Sequence, residues 1–455
     1  METIKKFYFS GIGGSGMSAL AQVLRQRGHW VGGSDRSYDR KINLRFFRKL
    51  KQQGIVLFPQ REDSLPVDID CIVVSTAVEK SSGEIKKAAS LGIAVLHRAQ
   101  LLADLFNASC GIGIAGTSGK TTVTGMVASI LEAAKKDPTV INGGIIKQYV
   151  SPELIGNAKN GSSDYLVSEV DESDGSIIHF QPEIGLITNI SKDHKEMGEL
   201  KELFRTFIAN TAGQIIINGD CAESMMLKPR QAITFGLRSS CTVSAEQRES
   251  CGNGSSFMVQ GTLFSLRVPG VHNVYNALAA IAAGLALSVP LRVMQKGLFS
   301  FKGIKRRLDL VGTKNGICVV DDFAHNPDKI AASISALKSM GKRMLVLFQP
   351  HGYGPTKFLL KELGCAFSSS LGPSDVLLCL KIYDAGGTAD RSVTAMDLLH
   401  EVKGPRCLYA QERSEALALL QGMVQPGDVI AVMGARDDTL SAFARRIFRE
   451  ITAAN

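Results

Sequence analysis

The residues best placed to do chemistry are Gly116-Thr-Ser-Gly-Lys-Thr-Thr122, between an apolar run and a helix-type pattern. Such a loop turns backbone N–H groups toward phosphate oxygens, and the helix behind it adds partial positive charge. Lys120 supplies a full charge and Thr121 a hydroxyl for a divalent cation. The strict phosphate-loop pattern has glycine where this chain has Ile114, so the loop is a variant. Gly116, Thr117, Ser118, Gly119, Lys120, Thr121 and Thr122 are the expected phosphate cradle.

A glycine-rich turn earlier in the chain, Gly11-Ile-Gly-Gly-Ser-Gly16, the first of the two, satisfies GxGxxG at the first strand-to-helix junction. It suits a pyrophosphate, that of a dinucleotide or a UDP-sugar, with Asp35 as the acidic residue about 20 positions on. A tight turn with close helix packing reads the same way. Glu169-Val-Asp-Glu-Ser-Asp174 ends an apolar run. It reads as an acidic turn or, beside a phosphate loop, as the carboxylates that hold Mg²⁺. Asp193 and His194 follow another apolar run, where a histidine is structural or a ligand. Asp321-Asp-Phe-Ala-His-Asn-Pro327 lies at a strand end ahead of a helix start, and capping explains part of it.

These groups need elements to position them. Apolar runs at 7–10, 30–35, 69–75 and 93–96 alternate with a helical pattern at 17–27 that Gly28 stops. The alternation restarts with strands expected at 111–115, 164–170, 184–190 and 214–218 and a helix at 123–134. A third unit opens near 307, with strands expected at 317–321, 343–348, 376–380 and 428–433 and a last helix at 440–450. Alternating strands and helices imply parallel sheets covered by helices. The Ser-, Gly- and Thr-rich stretch 234–268 predicts antiparallel strands, and 276–287 an alanine-rich helix.

Length and composition agree. The 455 residues hold 45% apolar and 21% charged residues, which excludes a disordered chain. The 52 basic and 43 acidic residues contain no long like-charge block, so no nucleic-acid arm is expected, and a mild basic excess suits anionic small molecules. Nine scattered cysteines without a CxxC pair argue against a zinc site or a disulfide framework. There is no 18-residue apolar run and no signal-type N-terminus, so a cytoplasmic protein without membrane contact is expected.

Taken in order, the motifs resemble the Mur ligase family, ATP-dependent amide ligases of peptidoglycan precursor synthesis. The family shows GTxGKTT (here 116–122), HNxxN before an alanine-rich helix (272–276) and an HNP or HHP element (325–327). The resemblance runs through the whole chain. Within the family it is most similar to the branch that adds L-alanine to UDP-N-acetylmuramate, through GIGGSGM at 11–17, Gly33-Ser34-Asp35, Asn142-Gly-Gly144, the 169–174 segment and Phe348-Gln-Pro-His351. That branch lacks the carbamylated lysine of other members, and Ala209 and Asn210 stand in the corresponding region. Departures are Ser118 for histidine, Phe323-Ala-His-Asn326 for YGHH, the loss of two arginines from QPHRYSRT at 349–356, and Arg436 in the GAGD element.

The resemblance implies an α/β fold of three domains. They are a Rossmann-like UDP-sugar-binding domain (1–107), a central P-loop ATPase-like domain with a parallel sheet (108–305) and a C-terminal Rossmann-like α/β domain for the amino acid (306–455). It implies ATP and Mg²⁺, with Lys120, Glu169 and His194 catalytic and Thr121, Glu169 and His194 on metal. Asn276, Arg307, His325 and Asn326 would join the loop on ATP. Gly13, Gly14, Ser15, Gly16, Met17, Ser34, Asp35, Ser75 and Asp174 would face the UDP-sugar, and Phe323 and His351 the amine. The partners implied are UDP-N-acetylmuramate and L-alanine, or a peptide, on a monomer or dimer. The alternatives are a murein tripeptide ligase, whose DDFAHHP is closer to Phe323-Ala324, a paralogue with altered or lost amine specificity, and a dinucleotide oxidoreductase built on the first glycine loop.

Overall fold

The computed structural model describes residues 4–79, 82–191, 195–251, 254–384, 390–435, 437 and 439–454. His194 and its neighbour Asp193 lie outside them.

Phe7, Tyr8 and Phe9 are all 4% exposed or less, a continuous apolar run that only a strand covered on both faces can use. This strand, β1 (Lys6–Ser10), pairs in parallel with β2 (Trp30–Ser34) and β4 (Cys71–Val74); β3 (Val56–Phe58) and β5 (Ala94–His97) complete a five-stranded sheet in the order β3-β2-β1-β4-β5. Because the order reverses at β1, its C-terminal end opens a crevice where α/β sheets place ligands. The helix Ser15–Gln26 begins there.

The second sheet contains β6 (Cys110–Ala115), β7 (Thr139–Ile141), β8 (Ala158–Lys159), β9 (Tyr165–Glu169), β10 (Ile184–Ile187), β11 (Gln214–Asn218), β12 (Ile233–Gly236) and β13 (Val243–Ser244). Its order is β13-β12-β11-β10-β6-β9-β7-β8, antiparallel only at β8. β6 therefore lies between β9 and β10, and the segments leaving all three emerge at one edge. The expectation of antiparallel structure from 234 onward is corrected here. β12 and β13 extend the parallel sheet, because Phe235 and Val243 bury on it. Only β14 (Glu246–Cys251), β15 (Gly254–Val259) and β16 (Thr262–Leu266) form a separate three-stranded sheet.

The last sheet contains β17 (Asp309–Lys314), β18 (Ile317–Asp322), β19 (Arg343–Phe348), β20 (Val376–Leu380), β21 (Arg406–Ala410) and β22 (Asp428–Met433), ordered β17-β18-β22-β19-β20-β21 with β17 the antiparallel edge. Separate apolar clusters on its two faces, one around Phe348 and Phe367 and one around Phe443 and Ile447, cover it.

The strands β3, β7, β8, β17 and β21 go beyond the sequence expectation. They are short, or they are edges carrying exposed positions such as Val56. The chain forms two compact units: 1–248 with 257–265 and 274–302, and 249–256 with 266–273 and 303–455. The first two sheets share the first unit. No helix among the described residues is long and apolar enough to cross a membrane.

Candidate active site

In the first unit, β6 ends at Ala115 and the chain turns through Gly116 (φ +123°) and Gly119 (φ +90°) into the helix Lys120–Ala133. Both φ values fall where L side chains are strained. A Cβ on Gly116 would also lie 2.1 Å from Thr188 Oγ1, and one on Gly119 2.6 Å from Asn276 Oδ1. Asn276 therefore sits beside the loop.

The loop is held from β10. The Thr117 hydroxyl and the Ser118 N–H both donate to Asn189 Oδ1 (2.6 and 3.0 Å), and Thr188 Oγ1 donates to the Ser118 carbonyl (2.6 Å). Thr188 and Asn189 were not singled out from sequence as loop supports, although their place at a strand end next to the loop was a usable signal. Thr122 is buried at the start of the helix.

Lys120 Nζ donates to the Gly116 carbonyl (2.7 Å) and to Glu172 Oε2 (2.6 Å), with Asp171 Oδ1 at 3.8 Å. Burial alone would lower the lysine's pKa; the two carboxylates outweigh burial and hold it above its ordinary value. Thr121 Oγ1 donates to Glu169 Oε2 (3.0 Å), and Glu169 Oε1 accepts the Gly143 N–H. The hydroxyl and the carboxylate expected on one cation are thus neighbours. Next to them, the Asn142 amide donates to the Thr121 carbonyl (3.3 Å), while Asn142 Oδ1 is buried with no hydrogen-bond partner among the described residues.

The first glycine turn is built around Asp35. Its Oδ2 accepts the Gly13 N–H (2.8 Å) and its Oδ1 the Ser37 N–H (2.7 Å). A cavity of about 410 Å³ opens here, lined by Gly14, Asp35, Arg61, Ser75, Gly83 and Glu84 among others. Of the residues expected on the UDP-sugar, Gly14, Asp35 and Ser75 line it. Gly13, Ser15 and Gly16 are outside its lining; Gly13 lies in the turn, and Ser15 and Gly16 open the helix Ser15–Gln26. The Met17 side chain is 2% exposed and turns into the core. Ser34 Oγ, also buried, donates to Glu84 Oε1 (2.5 Å). Asp174 lies outside the cavity lining and pairs with Arg98 at 3.4 Å, while Arg98 rests against Gly16. Glu84 and Arg98 were missed from sequence; Glu84 lies in the first turn of the helix Gly83–Ser90 between β4 and β5, and Arg98 opens the helix that follows the edge strand β5.

The second unit carries the remaining candidates. Arg306 (φ +60°) and Leu308 (φ +45°) adopt left-handed backbone on either side of Arg307. The Leu308 N–H donates to Asp322 Oδ2 (2.6 Å). Both guanidinium groups lie over the Phe323 ring, at 5.0 Å for Arg306 and 4.8 Å for Arg307. His325 meets Phe323 edge-on (5.4 Å) and His351 at 4.7 Å, so Arg307, Phe323, His325 and His351 form one cluster. Burial brings His325 down to about 3, and its Nδ1 donates to the Phe323 carbonyl (2.7 Å). Asn326 caps the helix Pro327–Leu337, accepting the Lys329 N–H at 3.0 Å, so its side chain has a structural task. Burial raises Asp321 to about 6, against the Ser441 hydroxyl and Arg306.

Three family models match the chain in order: "Mur ligase family, catalytic domain" at 6–109, "Mur ligase middle domain" at 114–284 and "Mur ligase, glutamate ligase domain" at 306–436. The chain is 36% identical over 450 residues to the UDP-N-acetylmuramate–L-alanine ligase of Geotalea uraniireducens, covering 95% of both chains. It is 35% identical over 467 residues to that of Aquifex aeolicus, covering 99% of this chain and 98% of the relative. Among solved structures, the UDP-N-acetylmuramate–alanine ligase of Thermotoga maritima superposes with a TM-score of 0.82 at 26% identity, covering 99% of this chain and 100% of that one. A murein peptide ligase from Psychrobacter arcticus shares the fold at 22% identity and a TM-score of 0.69, covering 98% of this chain and 99% of that one. With three domain models in register and relatives matched end to end, the chain belongs to the Mur ligase family.

Proposed function

We propose that this chain is a cytoplasmic ATP-dependent ligase that joins L-alanine to the carboxylate of UDP-N-acetylmuramate through an acyl phosphate. The observation that carries the reading is the second glycine loop. There Lys120 and Thr121 open one helix and Glu169 ends the neighbouring strand β9, at the C-terminal edge of a parallel sheet. End-to-end similarity to relatives that bear this activity in their names supports the choice of substrates.

In this reading the loop N–H groups and Lys120 neutralise the ATP phosphates, so that the sugar carboxylate attacks the γ-phosphorus and ADP leaves. The amine then attacks the acyl carbon and expels phosphate. Catalysis is positioning and charge neutralisation rather than covalent chemistry by the protein. Thr121 and Glu169 are the oxygen donors that fit Mg²⁺, an ion that keeps several water and phosphate ligands of its own. It would screen phosphate charge there. No group of three or more His, Cys, Asp or Glu with metal-binding geometry exists among the described residues; a two-residue protein contribution suits Mg²⁺. The family resemblance adds His194 to this set. The cavity at the first glycine turn takes the UDP moiety. The cluster of Arg307, Phe323, His325 and His351 serves nucleotide and amine.

The test is ADP release from ATP with UDP-N-acetylmuramate, screened against L-alanine, other amino acids and a tripeptide. Turnover with L-alanine that falls at least about a hundredfold in Lys120→Ala is expected. Turnover with the tripeptide alone makes the chain a recycling ligase, and full turnover by the lysine variant refutes the loop assignment.

A further inference from the structure

Lys120 is already neutralised before any nucleotide arrives. Its Nζ lies 2.6 Å from Glu172 Oε2, and the two side chains are 15% and 6% exposed. Asp171 adds a second carboxylate at 3.8 Å. In so dry a place an ion pair is held far more firmly than at a surface. Glu172 is not tied to the Thr121–Glu169 pair, and its backbone carbonyl, not its side chain, closes the turn to Gly175. Lys120 also donates to the Gly116 carbonyl, which belongs to the loop itself. Of the two carboxylates on the lysine, Glu172 is therefore the one in direct hydrogen-bond contact with Nζ, at the position where a phosphate must make its contact.

We infer that Glu172 competes with the nucleotide phosphates for Lys120 and so sets how tightly this loop holds ATP and how readily it lets ADP go. The inference rests on the reading of the loop as an ATP site. Phosphate takes the lysine only in the fraction of molecules where the pair is open, so the apparent dissociation constant is the intrinsic one divided by that fraction. A pair closed nine-tenths of the time weakens ATP about tenfold. After transfer, Glu172 reclaims Lys120 and assists release.

The experiment is calorimetric titration of the full chain with ATP, with and without Mg²⁺, for the wild type and for Glu172→Gln, which keeps the shape and a hydrogen-bond acceptor but removes the charge. Tightening of about tenfold in both conditions, together with a lower KM for ATP, is expected. Damage to the fold does not tighten binding, so the sign separates competition from a structural role. Unchanged or weaker binding by the variant overturns the inference, and weakening confined to Mg²⁺ assigns Glu172 to the cation instead. If Glu172→Gln does not fold, Glu172→Asp withdraws the charge by one methylene and must tighten binding by a smaller factor. A wild-type chain that binds no ATP refutes the loop assignment itself, a result distinct from an ATP-binding chain indifferent to position 172.

Discussion

Glu84 offers a sharp test of how the first glycine turn is supported. Its carboxylate is 2% exposed, and no cation pairs with it among the described residues. Three hydroxyls donate to it instead: Tyr8 (2.7 Å) and Ser34 (2.5 Å) on Oε1, and Ser10 (2.5 Å) on Oε2. It opens the helix Gly83–Ser90, whose positive end also favours a carboxylate. Ser10 and Ser34 are register partners at the ends of β1 and β2, so this one side chain ties together the two strand ends that flank the turn. Burial, followed by the charge of Glu84, raises the Tyr8 hydroxyl well above its ordinary pKa. Glu84→Ala removes three hydrogen bonds to a charged group, worth about 1.5–3 kcal/mol each, with partial recovery by water from the adjoining cavity; a net loss of roughly 3–6 kcal/mol follows. Glu84→Gln keeps one acceptor oxygen, and the Ser10 hydroxyl can turn to accept from the new amide, so it costs about half as much. The assay is urea unfolding followed by tryptophan fluorescence. The only tryptophan is Trp30, in β2 itself, so the signal reports this sheet. A Glu84→Ala protein within about 1 kcal/mol of wild type would show that the three hydroxyls do not depend on the carboxylate.

Three further outcomes are expected. Gly116→Ala forces a left-handed residue and displaces the Thr188 hydroxyl, a cost on the order of 1–2 kcal/mol in strain alone; ATP affinity should fall at least about tenfold, and unchanged affinity would remove the steric argument. His325 is held near 3 in the folded chain against about 6.5 unfolded, so the unfolded chain binds the extra proton between those values. Its contribution is complete above about pH 6.5 and is lost as pH falls toward 3, at up to about 1.4 kcal/mol per pH unit; half-buried His272, near 4, acts the same way and Asp321 oppositely. His325→Asn should flatten the acid limb of a stability–pH curve, and an unaltered limb counts against burial as the cause. Arg343 grips Asp428 through two nitrogens (2.9 and 2.6 Å) and donates to the Met423 carbonyl (2.7 Å). Arg343→Met strands a buried carboxylate and should cost about 3–5 kcal/mol in denaturation; a loss under 1 kcal/mol refutes this.

What the amino-acid sequence determined by itself is local. The apolar runs of β1, β6, β18 and β22 must be covered on both faces, and the glycines at 116 and 119 permit the backbone that only they adopt cheaply. Together with helix periodicity these specify alternating strands and helices and mark the turns where phosphate can sit. The placing of Thr121 and Glu169 on one cation was what the family resemblance implied; that β9 ends beside the helix that follows β6, so that the two side chains meet, was decided by the fold. The tertiary structure decided the rest, through contacts between residues far apart in the chain. Lys120 meets Glu172 across 52 positions and Glu84 meets Tyr8 across 76. Whether Phe235 and Val243 extend a parallel sheet or turn into a hairpin depends on what covers them, because alternation alone does not distinguish the two. A carboxylate in an acidic segment reads as a solvated turn until its neighbours are known. Here one such carboxylate, Glu172, is nearly buried and rests on the lysine that the sequence assigned to phosphate, because charge is set by type but pairing is set by the fold.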